Sequence, residues 1–467
     1  MGKQFLSILA MAAFTAVISL IAFHCEVRSG ANRGLVYAGG KAYYYDDVGD
    51  EVVGFVFLED DGSTRYFDED SHTMVKGEIE ISGNRYLFDK EGVMQTGFQT
   101  DKNNNTRYFV PGSGLMKTGW MMEAQDAYYF DTETGYMVKG WKDIGDRKFY
   151  FGEDGKMARG VFGDGKGTYF ADVNTGIIAL GLTKIGDKYF YFDKVTGNVK
   201  KGWVEDDGEK YFFNEKTGEG IDGIIEMNGD KYGFVGGKML KNKRAVADNH
   251  LYYFGEDGKI TREIDGKKKM VAITYDDGPS EYTDKIIDVF EKYNQKCTFF
   301  IVGNRIKANE KVVKRESDLG YQQGSHTFGH NVLTGQSAAK QKANLKKVDD
   351  ELKRVTGKPS VYFRPPEGRW NNALKKACGC PVILWSVDTR DWESRDKNKV
   401  YSAVIGKVKD GDIVLMHDLY QSTAQATERI VPALVEAGFQ LVTVEELGLL
   451  KQGGLKNSTV YYSVGKK

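Results

Sequence analysis

Asp276 and Asp277 are adjacent carboxylates at the end of an apolar, β-branched run, VAITYDD (271–277). Side by side they repel each other, and Gly278-Pro279 after them favours a turn. A second use for such a pair is metal chemistry, in which one carboxylate holds a cation and the other moves a proton. His326 and His330 stand four apart in SHTFGH (325–330). If the backbone turns helical there, both imidazoles share one face and can hold one ion. Three further polar blocks follow: Arg364-Pro365-Pro366-Glu367-Gly368, Asp388-Thr389-Arg390-Asp391-Trp392 and His417-Asp418. Taken singly, each has a structural explanation as a turn, a cap or a core histidine. Each also stands at the end of an apolar stretch, and five such blocks in one region outweigh five coincidences.

The elements that must position them alternate. Apolar stretches at 270–275, 297–303, 320–325, 360–363, 381–386, 412–416 and 439–443 read as strands. Helical patterns lie between them, at 282–293 and at 338–355, the latter closed by Gly357. Strand–helix alternation implies a parallel sheet or barrel. Seven strands in this span predict a small, incomplete barrel, with its chemistry where strands end in loops.

The first half has a different texture. Tyr/Phe clusters recur about every 21 residues, from Tyr44-Tyr45 to Tyr253-Phe254. Each is usually followed by a Gly-containing turn, as in FDTETGYMVKGW (130–141). That length fits a short β-hairpin, and one hairpin cannot bury its aromatic face alone. Stacking about eleven of them can, so the region reads as a β-solenoid or hairpin array. The segment 255–269 reads as a boundary, with Lys267-Lys268-Lys269 solvated.

The whole chain has 467 residues, with 65 basic and 66 acidic side chains. That balance gives no electrostatic case for nucleic acid. Residues 5–23 are apolar or small after a Lys, which predicts an export segment, either a signal peptide or a membrane anchor. Small residues at Ser29-Gly30-Ala31 would suit cleavage. Cys25 belongs to this region, without the small residues before it that a lipoprotein signal wants. Cys297, in an apolar stretch, reads as a core residue, and the Cys378-Gly379-Cys380 pair reads as structural. Four cysteines in an exported chain of this size argue against a disulfide scaffold.

Two resemblances sharpen these readings. GWMMEAQDAYYF (119–130), GWKDIGDRKFYF (140–151) and GWVEDDGEKYFF (202–213) resemble the cell-wall-binding, choline-binding-type repeats of Gram-positive surface proteins. The resemblance implies aromatic boxes that hold a quaternary ammonium by cation–π attraction. Trp120, Trp141 and Trp203 are the candidate ligand residues, because other units carry Gly97-Phe98 or Gly160-Val161 in place of Gly-Trp. The second half resembles the polysaccharide deacetylase family, carbohydrate esterase family 4. The carriers are TYDDGP (274–279), HTFGH (326–330), RPPEG (364–368), DTRDW (388–392) and Leu415-Met416-His417.

That second resemblance implies a distorted (β/α) barrel and a set of roles. Asp277, His326 and His330 would hold a divalent metal, zinc by type, with cobalt or manganese as alternatives. Asp276 would be the base, held by Arg364, with Asp391 orienting Arg364. The backbone N–H of Glu367 would steady the oxyanion, and His417 would protonate the departing amine. Trp392 and Leu415 would shape the acetyl pocket, and Asp418 is a candidate to tune His417. Glu367 departs from the family, where an aromatic residue is common at that position.

The implied activity is metal-dependent de-N-acetylation of a cell-surface polysaccharide, above all the N-acetylglucosamine of peptidoglycan, by metal-bound water. Other acetylated substrates are chitin-like oligomers, exopolysaccharide or O-acetylated xylan. A catalytically inactive wall-binding adhesin is the non-enzyme alternative. The repeats would bind wall glycan or teichoic acid, placing the protein outside the cell or on its surface. The expected organisation is a signal or anchor at 1–31, repeats at 35–262, a deacetylase domain at 267–451 and a tail at 452–467.

Overall fold

The computed structural model describes residues 33–465. The apolar run 5–23, Cys25 and the small residues at 29–31 lie outside the described residues. Among the described residues, no helix is long and apolar enough to cross a membrane. The chain divides into two compact units, Met1–Thr183 with Phe192–Val199, and Lys184–Tyr191 with Lys200–Lys467.

The first unit is a succession of two-stranded antiparallel hairpins, such as Gly54–Leu58 with Ser63–Phe67 and Gly119–Glu123 with Asp126–Phe130. In most of them the last aromatic stands opposite a glycine: Phe67 opposite Gly54, Phe130 opposite Gly119, Phe151 opposite Gly140. These phenylalanines are fully buried. Stacking is fixed by one backbone bond per repeat. The residue trailing each hairpin donates to a carbonyl of the preceding one: Met74 to Ala42 at 2.8 Å, Met137 to Thr106 at 2.7 Å, Met157 to Ala127 at 2.8 Å. Each methionine also packs on a left-handed glycine one repeat later. A Cβ on Gly114 or Gly155 would lie 2.3 Å from the Sδ of Met94 or Met137, and the left-handed backbone there also favours glycine. The Gly-x-Met spacing is therefore the stacking signal of the array.

The second unit begins with the last repeats. Gly202–Asp206, Glu209–Phe213, Gly223–Met227 and Asp230–Val235 join a five-stranded sheet through the short strand Lys238–Met239. The final hairpin, Lys243–Ala247 with His250–Phe254, gains a third strand, Ile260–Asp265. Leu251 and Ile264 from this sheet share a buried core with Met270, Ala272, Ile413 and Leu447. Arg244, at the position where other repeats carry Gly-Trp, forms a two-pronged ion pair with Glu445 at 2.6 and 3.1 Å. Arg262 is paired with the buried Glu446, which also accepts from the Tyr253 hydroxyl at 2.5 Å. The boundary expected at 255–269 is thus a packed strand and a tight turn, with Lys267-Lys268-Lys269 exposed.

The remainder is the predicted α/β barrel. Its centre is β1 (Lys269–Asp276), buried at every position after the first because helices and strands cover both faces. It pairs in parallel with β2 (Thr298–Ile301) on one side. β3 (Gln322–Ser325) continues beyond β2. After β4 (Val382–Ile383) and β5 (Val387–Asp388), β6 (Asp412–His417) pairs with β1 and with β5. β7 (Phe439–Leu441) pairs with the start of β1.

The expected strand at 360–363 reduces to Phe363, which bridges Ser325 and Val382. The expected strand 381–386 shortens to β4, and β5 begins just beyond it. The carbonyls of Ile383 and Leu384 are taken by the Arg364 guanidinium at 3.1 and 3.0 Å, and a buried guanidinium requires such acceptors. Residues 452–465 are part of the wall rather than a tail. β8 (Val460–Tyr461) pairs with β4, and the buried Val464 donates its N–H to Gly411 at 2.8 Å.

The helices follow their patterns. α1 (Thr283–Lys292) turns Ile286, Ile287 and Phe290 inward. After α2 (Glu310–Asp318) comes α3 (Ala338–Thr356), capped by Ser337 and ended by left-handed Gly357. α4 (Asn372–Cys378), α5 (Asp391–Ser394) and α6 (Lys397–Val404) precede α7 (Gln421–Glu436), which follows β6. α8 (Val444–Gln452) opens on a Thr443–Glu446 capping box. Cys297, Cys378 and Cys380 are free thiols.

Candidate active site

The polar blocks converge where β1, β2, β3 and β6 end. A cleft of about 460 Å³ is lined by Asp276, Asp277, His326, His330, Glu367, Leu415, Trp392 and His417, together with Trp385 and Asp388. Asp276 and His417 occupy register-paired positions at the ends of adjacent parallel strands. Five non-glycine residues at or beside the cleft have left-handed backbone: Asp277, Thr327, His330, Glu367 and Arg390. Such residues cost about 1–3 kcal/mol each and persist where the surroundings impose them.

Asp277 Oδ1 lies 3.4 Å from His326 Nε2 and 3.2 Å from His330 Nε2. It is buried and has no hydrogen-bond partner of its own. Burial alone would raise this carboxyl, but the neighbouring imidazoles of His326, His417 and His330 hold it down to about 2. His326 Nδ1 is 2.8 Å from the Arg364 carbonyl. A carbonyl only accepts, so Nδ1 carries the proton and Nε2 presents a bare lone pair toward Asp277. One hard oxygen and two imidazole nitrogens, all within 4.8 Å of one another, fit a divalent metal. Residues 326–330 are not helical, contrary to the simplest reading of their spacing. Thr327 and His330, with φ of 67° and 56°, fold the segment into a loop that brings the rings to 5.1 Å.

Asp276 is buried and accepts from Arg364 Nη1 at 2.8 Å. Arg364 is fully buried as well. Nη1 also donates to Thr274 Oγ1 at 2.6 Å, and the guanidinium lies 4.1 Å over the Phe300 ring. Asp391 does not touch Arg364. The carbonyls of Ile383 and Leu384 satisfy the rest of that guanidinium. Asp391 faces His417 instead, with Oδ1 accepting from Nδ1 at 2.8 Å and Oδ2 accepting the His417 backbone N–H at 2.7 Å. Burial opposes charge on His417, but the hydrogen bond and charge of Asp391, then Asp276 and Asp277, raise it to about 9.

Asp418 is likewise not a partner of His417. It is buried beside Gly278, accepts from the Thr283 hydroxyl, and is pushed up to about 7 by burial. The Glu367 side chain pairs with Arg369 at 2.9 Å on the cleft rim. The sequence reading assigned no role to Trp385, whose ring Gly368 approaches, to Phe300 beneath Arg364, or to Thr274. The signal for Trp385 was its place at an apolar stretch end just before DTRDW.

The three Gly-Trp units differ. Trp120 is partly exposed, 5.1 Å from Phe149 and 5.2 Å from Tyr129. Trp203 borders an open cavity of about 490 Å³ with Tyr232, Met239, Glu205 and Asp257. At Trp141, Phe162 is stacked between Tyr150 at 4.9 Å and Tyr169 at 5.4 Å, and the indole N–H is spent on Asp164 at 3.0 Å.

The polysaccharide deacetylase family pattern matches residues 263–380. A peptidoglycan-N-acetylglucosamine deacetylase of Bacillus cereus is 34% identical over 199 residues, which is 41% of this chain and 93% of that protein. The chain belongs to the polysaccharide deacetylase family. The family region is also similar to the peptidoglycan-N-acetylglucosamine deacetylase PgdA of Listeria monocytogenes, 38% identical over 180 residues, 38% of this chain and 39% of the relative. The peptidoglycan-N-acetylmuramic acid deacetylase PdaC of Bacillus subtilis is 33% identical over 190 residues, 40% of this chain and 41% of the relative. The match thus spans well under half the length of these two relatives. Before the family region, a choline-binding repeat pattern matches 75–119, and a cell wall binding repeat matches 139–157 and 201–216. A hairpin-repeat array of choline-binding type therefore precedes the deacetylase domain.

Proposed function

We propose that this protein hydrolyses N-acetyl groups from cell-wall polysaccharide, and that its substrate is the N-acetylglucosamine of peptidoglycan. The observation that carries this reading is one cleft that combines an unpartnered Asp277 oxygen between two imidazoles, an arginine-paired aspartate and an aspartate-paired histidine.

A divalent cation held by Asp277, His326 and His330, with zinc the best match and cobalt or manganese alternatives, supplies Lewis acidity to water and to the acetyl carbonyl. Asp276 takes the proton of the attacking water, and Arg364 pairs with that carboxylate and holds it in place. The Glu367 backbone N–H donates to the oxygen that becomes negative. His417 is protonated at neutral pH and gives its Nε2 proton to the departing nitrogen as the C–N bond breaks, a step worth about 10²–10⁴-fold. Asp391 occupies Nδ1, so Nε2 is the nitrogen free to act. The products are acetate and a free amino sugar. Leu415, Trp392 and Trp385 wall the space for the acetyl methyl.

The repeats support action at the wall, outside the cytoplasmic membrane, where they would raise local substrate concentration. The relatives' names divide between N-acetylglucosamine and N-acetylmuramic acid. Mass spectrometry of muropeptides after treatment with the metal-loaded full chain decides between them. Loss of one acetyl mass from N-acetylglucosamine is expected. Loss only from N-acetylmuramic acid would overturn the substrate assignment.

A further inference from the structure

α7 starts four residues after His417, and its first turn carries Thr423 inward, fully buried. Thr423 Oγ1 donates to Asp391 Oδ2 at 2.7 Å. That oxygen also takes the His417 backbone N–H at 2.7 Å. The other oxygen takes the His417 imidazole at 2.8 Å and the Trp392 N–H at 3.0 Å. Four donors on two oxygens fill the carboxylate's lone pairs. Two of them are backbone groups and one is the histidine itself. Thr423 is the fourth, and it belongs to a different element.

A carboxylate's terminal torsion is broad and roughly two-fold, and three of its four donors come from the adjoining Trp392 or from His417, the group that Asp391 is to position. A donor from a separately packed helix removes that freedom. We propose that Thr423 is a positioning residue for the acid arm of the site. It fixes the Asp391 plane, which holds His417 Nδ1 and leaves Nε2 directed at the cleft. The inference rests on the reading of His417 as the proton donor.

The helix is itself anchored to the base arm. Thr427 Oγ1 donates to the Thr423 carbonyl at 3.0 Å and lies 2.8 Å from the Tyr275 hydroxyl. Tyr275 precedes Asp276 on β1, and successive strand residues point to opposite faces. A buried polar chain thus runs from the strand of the base, through one face of α7, to the acid histidine. Fully satisfied buried networks of this kind hold a single geometry.

The test compares Thr423→Val, which keeps shape and removes the donor, with Thr423→Ser, which keeps the donor. Both are made in the metal-loaded full chain. The readouts are the His417 Nδ1 proton resonance and the kcat and KM of acetate release from peptidoglycan. Thr423→Val is expected to broaden or shift that resonance and to lower kcat about tenfold with KM unchanged, while Thr423→Ser stays within about twofold of the parent. If the valine variant fails to fold, Thr423→Ala removes the same donor without branching. An unchanged resonance and kcat in the donor-less variant would overturn the proposal, as would a serine variant as impaired as the valine one. If the parent chain releases no acetate, the functional reading falls, while the resonance still decides the Thr423 assignment.

Discussion

Asp391 accepts the His417 Nδ1 proton at 2.8 Å, and it is this pairing that places charge on His417 inside a largely buried site. The raised value has a definite sign. His417 charged in the folded state adds stability below its unfolded value near 6.5, and that contribution is lost as pH rises through about 9. Asp391→Asn should move the His417 titration in the metal-free chain well below about 9, read from its imidazole resonances, and should cost about 10²-fold in kcat. An unmoved titration would show that other groups hold the proton.

Removing the metal should silence the enzyme reversibly. Chelation is expected to abolish acetate release, and a divalent ion should restore it. Asp277→Ala should lose both the activity and the tight metal binding measured by calorimetry. Retained stoichiometric binding in that variant would place the ion elsewhere.

The Arg262–Glu446 pair should matter more than any surface pair, because Glu446 is only 1% exposed and also caps α8. Arg262→Ala leaves a buried carboxylate without its charged partner, which costs about 3–5 kcal/mol. Chemical denaturation followed by loss of acetate release should show that drop. A loss under about 1 kcal/mol would mean that the last hairpin does not stabilise the barrel.

Much of this was legible in the residues, and what was not has identifiable causes. Tyr/Phe clusters recurring about every 21 residues and Gly-containing turns marked the hairpins, because a single hairpin cannot bury its aromatic face alone. The residues proposed as metal ligands, base and acid stood out as polar groups at the ends of apolar runs. The Asp391–His417 pairing was not legible, since residues 26 apart in sequence meet only once β6 and α5 are placed. Nor was the loop at 326–330, whose left-handed residues follow from the surrounding barrel rather than from local preference. The junction at 260–265 was misread because a strand that pairs with the array on one face and fills the barrel core on the other has the composition of neither.

The repeats make a contrast within one array. Trp203 beside an open cavity should bind a quaternary ammonium, and Trp203→Ala should remove one binding event in a choline titration. Trp141→Ala should remove none, because Phe162 already fills that box. Equal losses from the two variants would contradict the distinction.

Acetate release from purified peptidoglycan by the metal-loaded full chain, beside its Asp276→Asn variant, tests the central claim most directly. The amide keeps the shape of the Arg364 contact and cannot take a proton. The account predicts release by the parent and a loss of about 10²-fold or more in the variant, with metal binding retained. Equal release from both would contradict Asp276 as the base, and no release from a metal-loaded parent would contradict the deacetylase reading itself.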